Sequence, residues 1–170
     1  MKERTLINVL YGIIVVLLLS QAYLLSLYLG NLRREHAPVM SKMGERVISG
    51  DAALTVEALR EDQTGEPPFT PLPGDHFEIA EFTLENLGTT TLDVIPLANF
   101  HLKDKFGYVY SVVAVPSDKD MLSGPLQPGD TLREEIGFEV RNGAEGLRFY
   151  YESGRRKDGM IIVDLGRSLI

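Results

Sequence analysis

Hydrophobic and polar positions divide the chain into two regimes. From Leu6 to Leu29 the sequence LINVLYGIIVVLLLSQAYLLSLYL holds no charged residue in 24 positions. From about Arg46 onward, apolar residues recur at every second place with charges between them. The first pattern predicts a membrane-spanning helix, because a hydrocarbon core about 30 Å thick is crossed by roughly 20 apolar helical residues. The second predicts β-strands with one dry face and one wet face.

Fifteen of the 24 residues in the apolar stretch are Leu, Ile or Val. At roughly −0.3 to −0.6 kcal/mol each near the bilayer centre, they outweigh the modest cost of Asn8, Ser20, Gln21 and Ser26. Lys2 and Arg4 precede the stretch, Arg33 and Arg34 follow it, and Tyr23 and Tyr28 lie toward its end, where amphipathic rings suit headgroups. A buried helix of a soluble protein rarely stays apolar on every side for this length. A cleaved signal peptide is the stronger alternative, since Ser20-Gln21-Ala22 has the small-x-small pattern of a cleavage site. The apolar run continues seven residues past Ala22, which favours a retained anchor. Ala22, Ser26 and Gly30 repeat at four-residue spacing, a stripe of small residues along which two such helices can associate.

A polar connector over residues 30–45, with Pro38 and Gly44, is expected to lead into a β domain over residues 46–170. There Leu54, Val56 and Ala58 alternate with Thr55 and Glu57, and Ala80, Phe82 and Leu84 with Glu81, Thr83 and Glu85. Shorter apolar sets follow at Leu92 and Val94, Phe100 and Leu102, Leu132 to Val140, Leu147 to Tyr151, and Ile161 to Leu165. Turn chemistry separates them at Pro73-Gly74-Asp75, Asp104 to Gly107, Pro128-Gly129-Asp130, Asn142-Gly143 and Lys157-Asp158-Gly159. About seven short strands without a helical stretch predict an antiparallel β-sandwich. The loop Glu61 to Pro73 carries four prolines and is expected to be exposed, with Phe69 as a lid over the sandwich edge or a contact residue.

Composition narrows the chemistry. The 170 residues include no Cys, which excludes disulfides, a thiol nucleophile, a Cys-based zinc site and a lipidated cysteine. A formal charge of −7 argues against nucleic acid as a partner. From Glu35 onward there are 23 acidic and 13 basic residues, and the tip Arg155-Arg156-Lys157 stands out as a basic exception that is a candidate contact surface. No hydrolase, metalloprotease, phosphate-loop or EF-hand spacing occurs, so no catalytic residue, cofactor or metal site is expected. His36, His76 and His101 are scattered and read as solvated surface residues. Asp118 and Asp120 read as parts of a polar loop. Asn86, Asp104, Gly107 and Pro128-Gly129 read as turn formers, Asn86 through an Asx-type turn. Glu134 is anomalous, because alternation from Leu132 to Ile136 points it inward, where a carboxylate needs a partner or a place near the rim.

From Gly74 onward the order of these elements resembles the DUF4352 family of bacterial envelope proteins. The matching pieces are GDHFEIAEFTLENLGTTTLDV, FHLKDKFGYVY, LQPGDTLREEIGFEV, LRFYYE and IIVDL, over about residues 47–166. The resemblance implies an immunoglobulin-like sandwich in the cell envelope, and it transfers no functional residues. Where the common version carries a lipidated cysteine, this chain carries the apolar helix. The charge count of Lys2, Arg4 and the α-amino group against Arg33, Arg34 and Lys42 is a tie, so orientation rests on the resemblance. It places residues 1–5 in the cytoplasm and the domain outside. The expected function is a membrane-anchored, non-enzymatic module that binds or scaffolds another envelope component. Its expected contact surfaces are Phe69, the stretch Val115 to Gln127, and Arg155, Arg156 and Lys157. The alternative is a proteinase-inhibitor-like sandwich that presents the Val115–Gln127 loop to a protease.

Overall fold

The computed structural model describes residues 2–35, 37–63, 69–115, 124–154 and 159–166. The chain divides into two compact units, one ending at residue 36 and the other starting at residue 37.

The first unit is a single helix, α1 (Lys2–Glu35). It contains the segment Tyr11–Leu29, which is long and apolar enough to cross a membrane and in which no residue is buried. The helix outruns the expected 6–29 at both ends, since no helix breaker occurs before Pro38. Ser20 and Ser26 donate their hydroxyls to the carbonyls of Leu17 and Tyr23, each at 2.8 Å. These polar groups are therefore satisfied within the helix, as an apolar surrounding requires.

Eleven strands are described in the second unit. They are β1 (Val39–Lys42), β2 (Val47–Ser49), β3 (Ala52–Asp62), β4 (Asp75–Asn86), β5 (Leu92–Val94), β6 (Phe100–Lys103), β7 (Val109–Val113), β8 (Gly124–Leu126), β9 (Thr131–Arg141), β10 (Arg148–Tyr151) and β11 (Ile161–Asp164). The count exceeds seven because β1, β2 and β8 are only three or four residues each, too short to show a period, and because β7, VYSVV, has no charged residue to mark its wet face. One helical turn, α2 (Pro96–Asn99), also escapes the pattern. Proline suits a first helical position, and the Asn99 side chain accepts a hydrogen bond from the Ile95 N–H at 2.6 Å.

Nine strands run in the order β1-β11-β10-β6-β7-β9-β4-β3-β2. Strand β7 joins the two layers of a sandwich, pairing with β6 through His101↔Ser111 and with β9 through Val112↔Phe138. Between the layers lies an aromatic cluster in which Phe100 stands 4.9 Å from Phe82, 5.6 Å from Phe149 and 5.0 Å from Tyr151, centroid to centroid. Among the described residues all the ladders are antiparallel except one. Strand β1 pairs parallel with β11, Val39 opposite Ile161. The stretch expected as a connector is thus partly an edge strand of the domain.

Strand β4 shows why the pairing is specific. Ala80, Phe82 and Leu84 face the core, while Glu81 and Glu85 face outward and meet Arg133 at 2.8 Å and Arg46 at 2.5 Å. The hydrogen bond between Arg46 and Glu85 raises the pKa of the arginine and lowers that of the carboxylate. Exposed pairs of this kind set register more than they stabilise. Opposite them, β3 carries a bulge. Val56 faces Phe82, but Ala58 already faces Glu81, so Glu57 is an extra residue. Ala58, expected inside by alternation, is therefore exposed, and Leu59 packs against the core instead. Glu61 and Asp62 also belong to β3, so the proline-rich loop begins only at Gln63.

Candidate functional site

The bulge in β3 has a consequence at one end of the sandwich. After it, Leu59 lies opposite Ala80 and Glu61 opposite Glu78. Side chains two apart on a strand share a face. His76 and Glu78 therefore point to the same side of β4 as the core residue Ala80, and Glu61 joins them from β3. The turn Asn142-Gly143 follows β9 directly, with Ala144 N–H donating to the Arg141 carbonyl at 3.1 Å. Gly143 has φ +82°, a value that favours glycine, and it closes the turn so that Asn142 reaches back over the sheet end.

These residues converge. His76 Nδ1 lies 2.9 Å from Asn142 Oδ1, and His76 Nε2 lies 3.3 Å from Glu78 Oε1. One potential ligand atom each from Glu61, His76 and Glu78 fall within 4.8 Å of one another. His76 and Glu78 are buried, at 7% and 2% exposure, while Glu61 sits exposed at the rim. A cavity of about 230 Å³ opens beside them, lined by Glu61, Gln63, His76, Glu78, Asn142 and Leu147 among others. An imidazole with two carboxylates at a cavity mouth can pair a proton or hold a cation.

The sequence reading of His76 as a solvated residue is corrected by this geometry. A period-two strand with turns at both ends shows that His76 and Glu78 share a face. It does not show which strand lies alongside, and the bulge reverses the parity that would have assigned Glu61 its side. His101 is also not freely solvated. It stacks on the Tyr150 ring at 4.8 Å, and burial together with the charge of Lys103 lowers its pKa against the opposing pull of Glu152. His36 lies outside the described residues.

The other singled-out residues are structural where they are described. Asn86 accepts the Gly88 N–H at 3.1 Å in the expected Asx turn. Asp104 Oδ1 accepts the N–H groups of Phe106 and Tyr108, each at 2.9 Å, and its Oδ2 accepts the Tyr110 hydroxyl at 3.1 Å. Glu134 is buried, in phase with Ile136, Phe138 and Val140 as the alternation implied. Phe69 keeps 36% of its surface exposed and is not part of the core cluster. Arg155, Arg156, Lys157, Asp118 and Asp120 lie outside the described residues, as does most of Val115–Gln127.

The fold defines the class first: a β-sandwich domain preceded in the chain by an apolar helix. Residues 41–160 match the model of a domain of unknown function, DUF4352, and the chain belongs to that family. Its sandwich is similar to the yjhA protein from Bacillus subtilis, at 21% identity and a TM-score of 0.62, over 74% of this chain and 99% of that one. It is also similar to MPT63, a secreted protein from Mycobacterium tuberculosis, at 18% identity and a TM-score of 0.57, over 75% and 98% of the two chains. A functionally unknown protein from Listeria monocytogenes shares 7% identity with a TM-score of 0.54, over 75% and 84%. Likeness at these identities shows the fold alone. No curated protein matches the sequence.

Proposed function

We propose that the chain is a membrane-tethered, extracytoplasmic, non-enzymatic module that binds or scaffolds another component of the cell envelope. The observation that carries this reading is the Tyr11–Leu29 span, uncharged, predominantly apolar and with no residue buried, in a chain whose β domain closes its own core. Such a helix finds its apolar surroundings outside the protein, and a lipid bilayer supplies them. The likeness to a secreted protein supports an extracytoplasmic place for the domain.

A contact surface is offered by the β6–β7 hairpin. Phe106, Tyr108 and Val109 are 70%, 50% and 56% exposed at its tip. Lys105 and Arg141 place cations 5.0 and 4.4 Å from the Phe106 and Tyr108 ring centroids. Aromatic and arginine side chains are enriched where proteins meet.

Fractionation with protease added to intact cells tests the reading. The full chain is expected in the membrane fraction after alkaline extraction, and its domain is expected to be degraded from outside. Recovery in the soluble fraction, or a domain protected until the cells are broken, would refute it. Crosslinking in membranes should capture a partner in smaller yield from Phe106→Ala/Tyr108→Ala than from the parent chain.

A further inference from the structure

We infer that Glu61, His76 and Glu78 form a binding site for a first-row divalent cation of the Zn²⁺ class, with Asn142 as the residue that orients the imidazole. The argument begins with the tautomer. Asn142 Oδ1, 2.9 Å from Nδ1, is a carbonyl acceptor, and a neutral ring that donates to it carries its proton on Nδ1. The lone pair is then on Nε2, the atom that faces Glu78. Metal-ligating histidines are oriented in this way, the second nitrogen donating to a neighbouring oxygen while the first binds the ion.

The spacing fits the same chemistry. Two ligands bound to one tetrahedral ion at about 2.0–2.1 Å lie about 3.4 Å apart. Nε2 and Oε1 of Glu78 are already 3.3 Å apart. The third donor, from Glu61, comes within 4.8 Å on an exposed side chain that accepts a hydrogen bond from Gln63 Nε2 at 2.6 Å, a contact that a rotamer change toward the ion exchanges for a metal bond. One nitrogen and two carboxylate oxygens, in a chain with no Cys, form a donor set suited to borderline first-row divalent ions. Three protein ligands leave a fourth position facing the cavity of about 230 Å³, which has room for water or a small anionic ligand. The β3 bulge explains how the set is assembled, because unbroken alternation from Val56 would turn residue 61 to the outer face, and the bulge at Glu57 shifts the parity so that Glu61 shares the face of His76 and Glu78. Bulges re-aim side chains beside sites in this manner.

The competing account is a protonated His76 paired with Glu78 and no ion. The full chain in detergent micelles, stripped with a chelator, distinguishes the two. Titration with Zn²⁺ alone should show one equivalent bound per chain, and Co²⁺ should give the visible bands of a tetrahedral centre. Glu61→Gln should weaken Zn²⁺ binding at least tenfold, Asn142→Ala about 10–100-fold, and His76→Ala should abolish it. Circular dichroism and a thermal transition establish that each variant is folded. If buried His76 proves necessary for folding, Glu61→Gln at the exposed rim decides the matter alone. A folded parent chain that binds no Zn²⁺ overturns the inference. So does binding left unchanged by Glu61→Gln, which would place the ion elsewhere, and so does a preference for Ca²⁺ over Zn²⁺.

Discussion

Asn86 has no solvent exposure, and each of its polar groups is occupied. Its side-chain nitrogen donates to the carbonyls of Thr90 and Leu126 at 2.9 and 2.8 Å, and its oxygen accepts the Gly88 N–H. Its backbone exchanges bonds with Asp130 and Gly129. Replacing it with Ala leaves three backbone groups to find other partners, each at about 1–3 kcal/mol where buried. Asn86→Ala is therefore expected to lower the unfolding free energy by about 3 kcal/mol, read as a reduced urea midpoint with unchanged slope. Tyr110 makes a different kind of prediction. Burial, then the hydrogen bond to Asp104 and the charges of Asp104 and Asp75, push its hydroxyl from 10.0 up to about 12, against a smaller opposing effect of Arg141. A folded-state pKa raised above the unfolded one gives stability that is complete below the unfolded value and is lost as pH rises through the folded value. The domain should lose stability from about pH 10 toward pH 12. Tyr110→Phe should flatten that limb while costing about 1 kcal/mol at neutral pH from the lost hydrogen bond.

Among the elements, β1 carries the clearest lesson. VMSK is four residues beside Pro38, with no alternation, and its partner β11 lies some 120 positions later. Nothing local marks it as a strand, because an edge strand of that length is defined by what it pairs with. The long strands were legible for the opposite reason. In β4 and β9 the burial period repeats over many residues, and Asn86-x-Gly, Pro128-Gly129 and Asn142-Gly143 mark where it stops. The Glu61–His76–Glu78 set falls between these cases, since His76 and Glu78 stood in a readable strand, whereas Glu61 read as the start of the proline-rich loop, and the bulge at Glu57 and the cross-strand register were not readable. A test of β1 compares a chain beginning at Ala37 with one beginning at Arg46. The second lacks the β1–β11 ladder together with the Met43 and Gly44 N–H bonds to Asp164 and Val56. At about 0.5–1.5 kcal/mol net for each bond, the shorter chain should be less stable by about 3 kcal/mol. It should also aggregate more readily, since β11 would become an open edge. Equal urea midpoints for the two would show that β1 contributes nothing.

At the scale of the whole molecule, the question is whether α1 stays in lipid. The 15 Leu, Ile and Val residues of its Leu6–Leu29 stretch supply about 4–9 kcal/mol of favourable transfer, while one Arg near the centre costs about 2.5–3.5 kcal/mol. A single Leu18→Arg change should therefore leave the chain in the membrane pellet after alkaline extraction. Leu18→Arg with Leu19→Arg costs twice as much and loses two leucines, so a large share of the chain should move to the soluble fraction. The same experiment separates an anchor from a leader. A retained helix gives a membrane-bound product whose N-terminal sequence lies upstream of Tyr23, whereas cleavage after Ala22 gives a soluble product that begins at Tyr23 even without either substitution. Graded release by one and then two arginines, with no product starting at Tyr23, is the outcome that the apolar, unburied span requires.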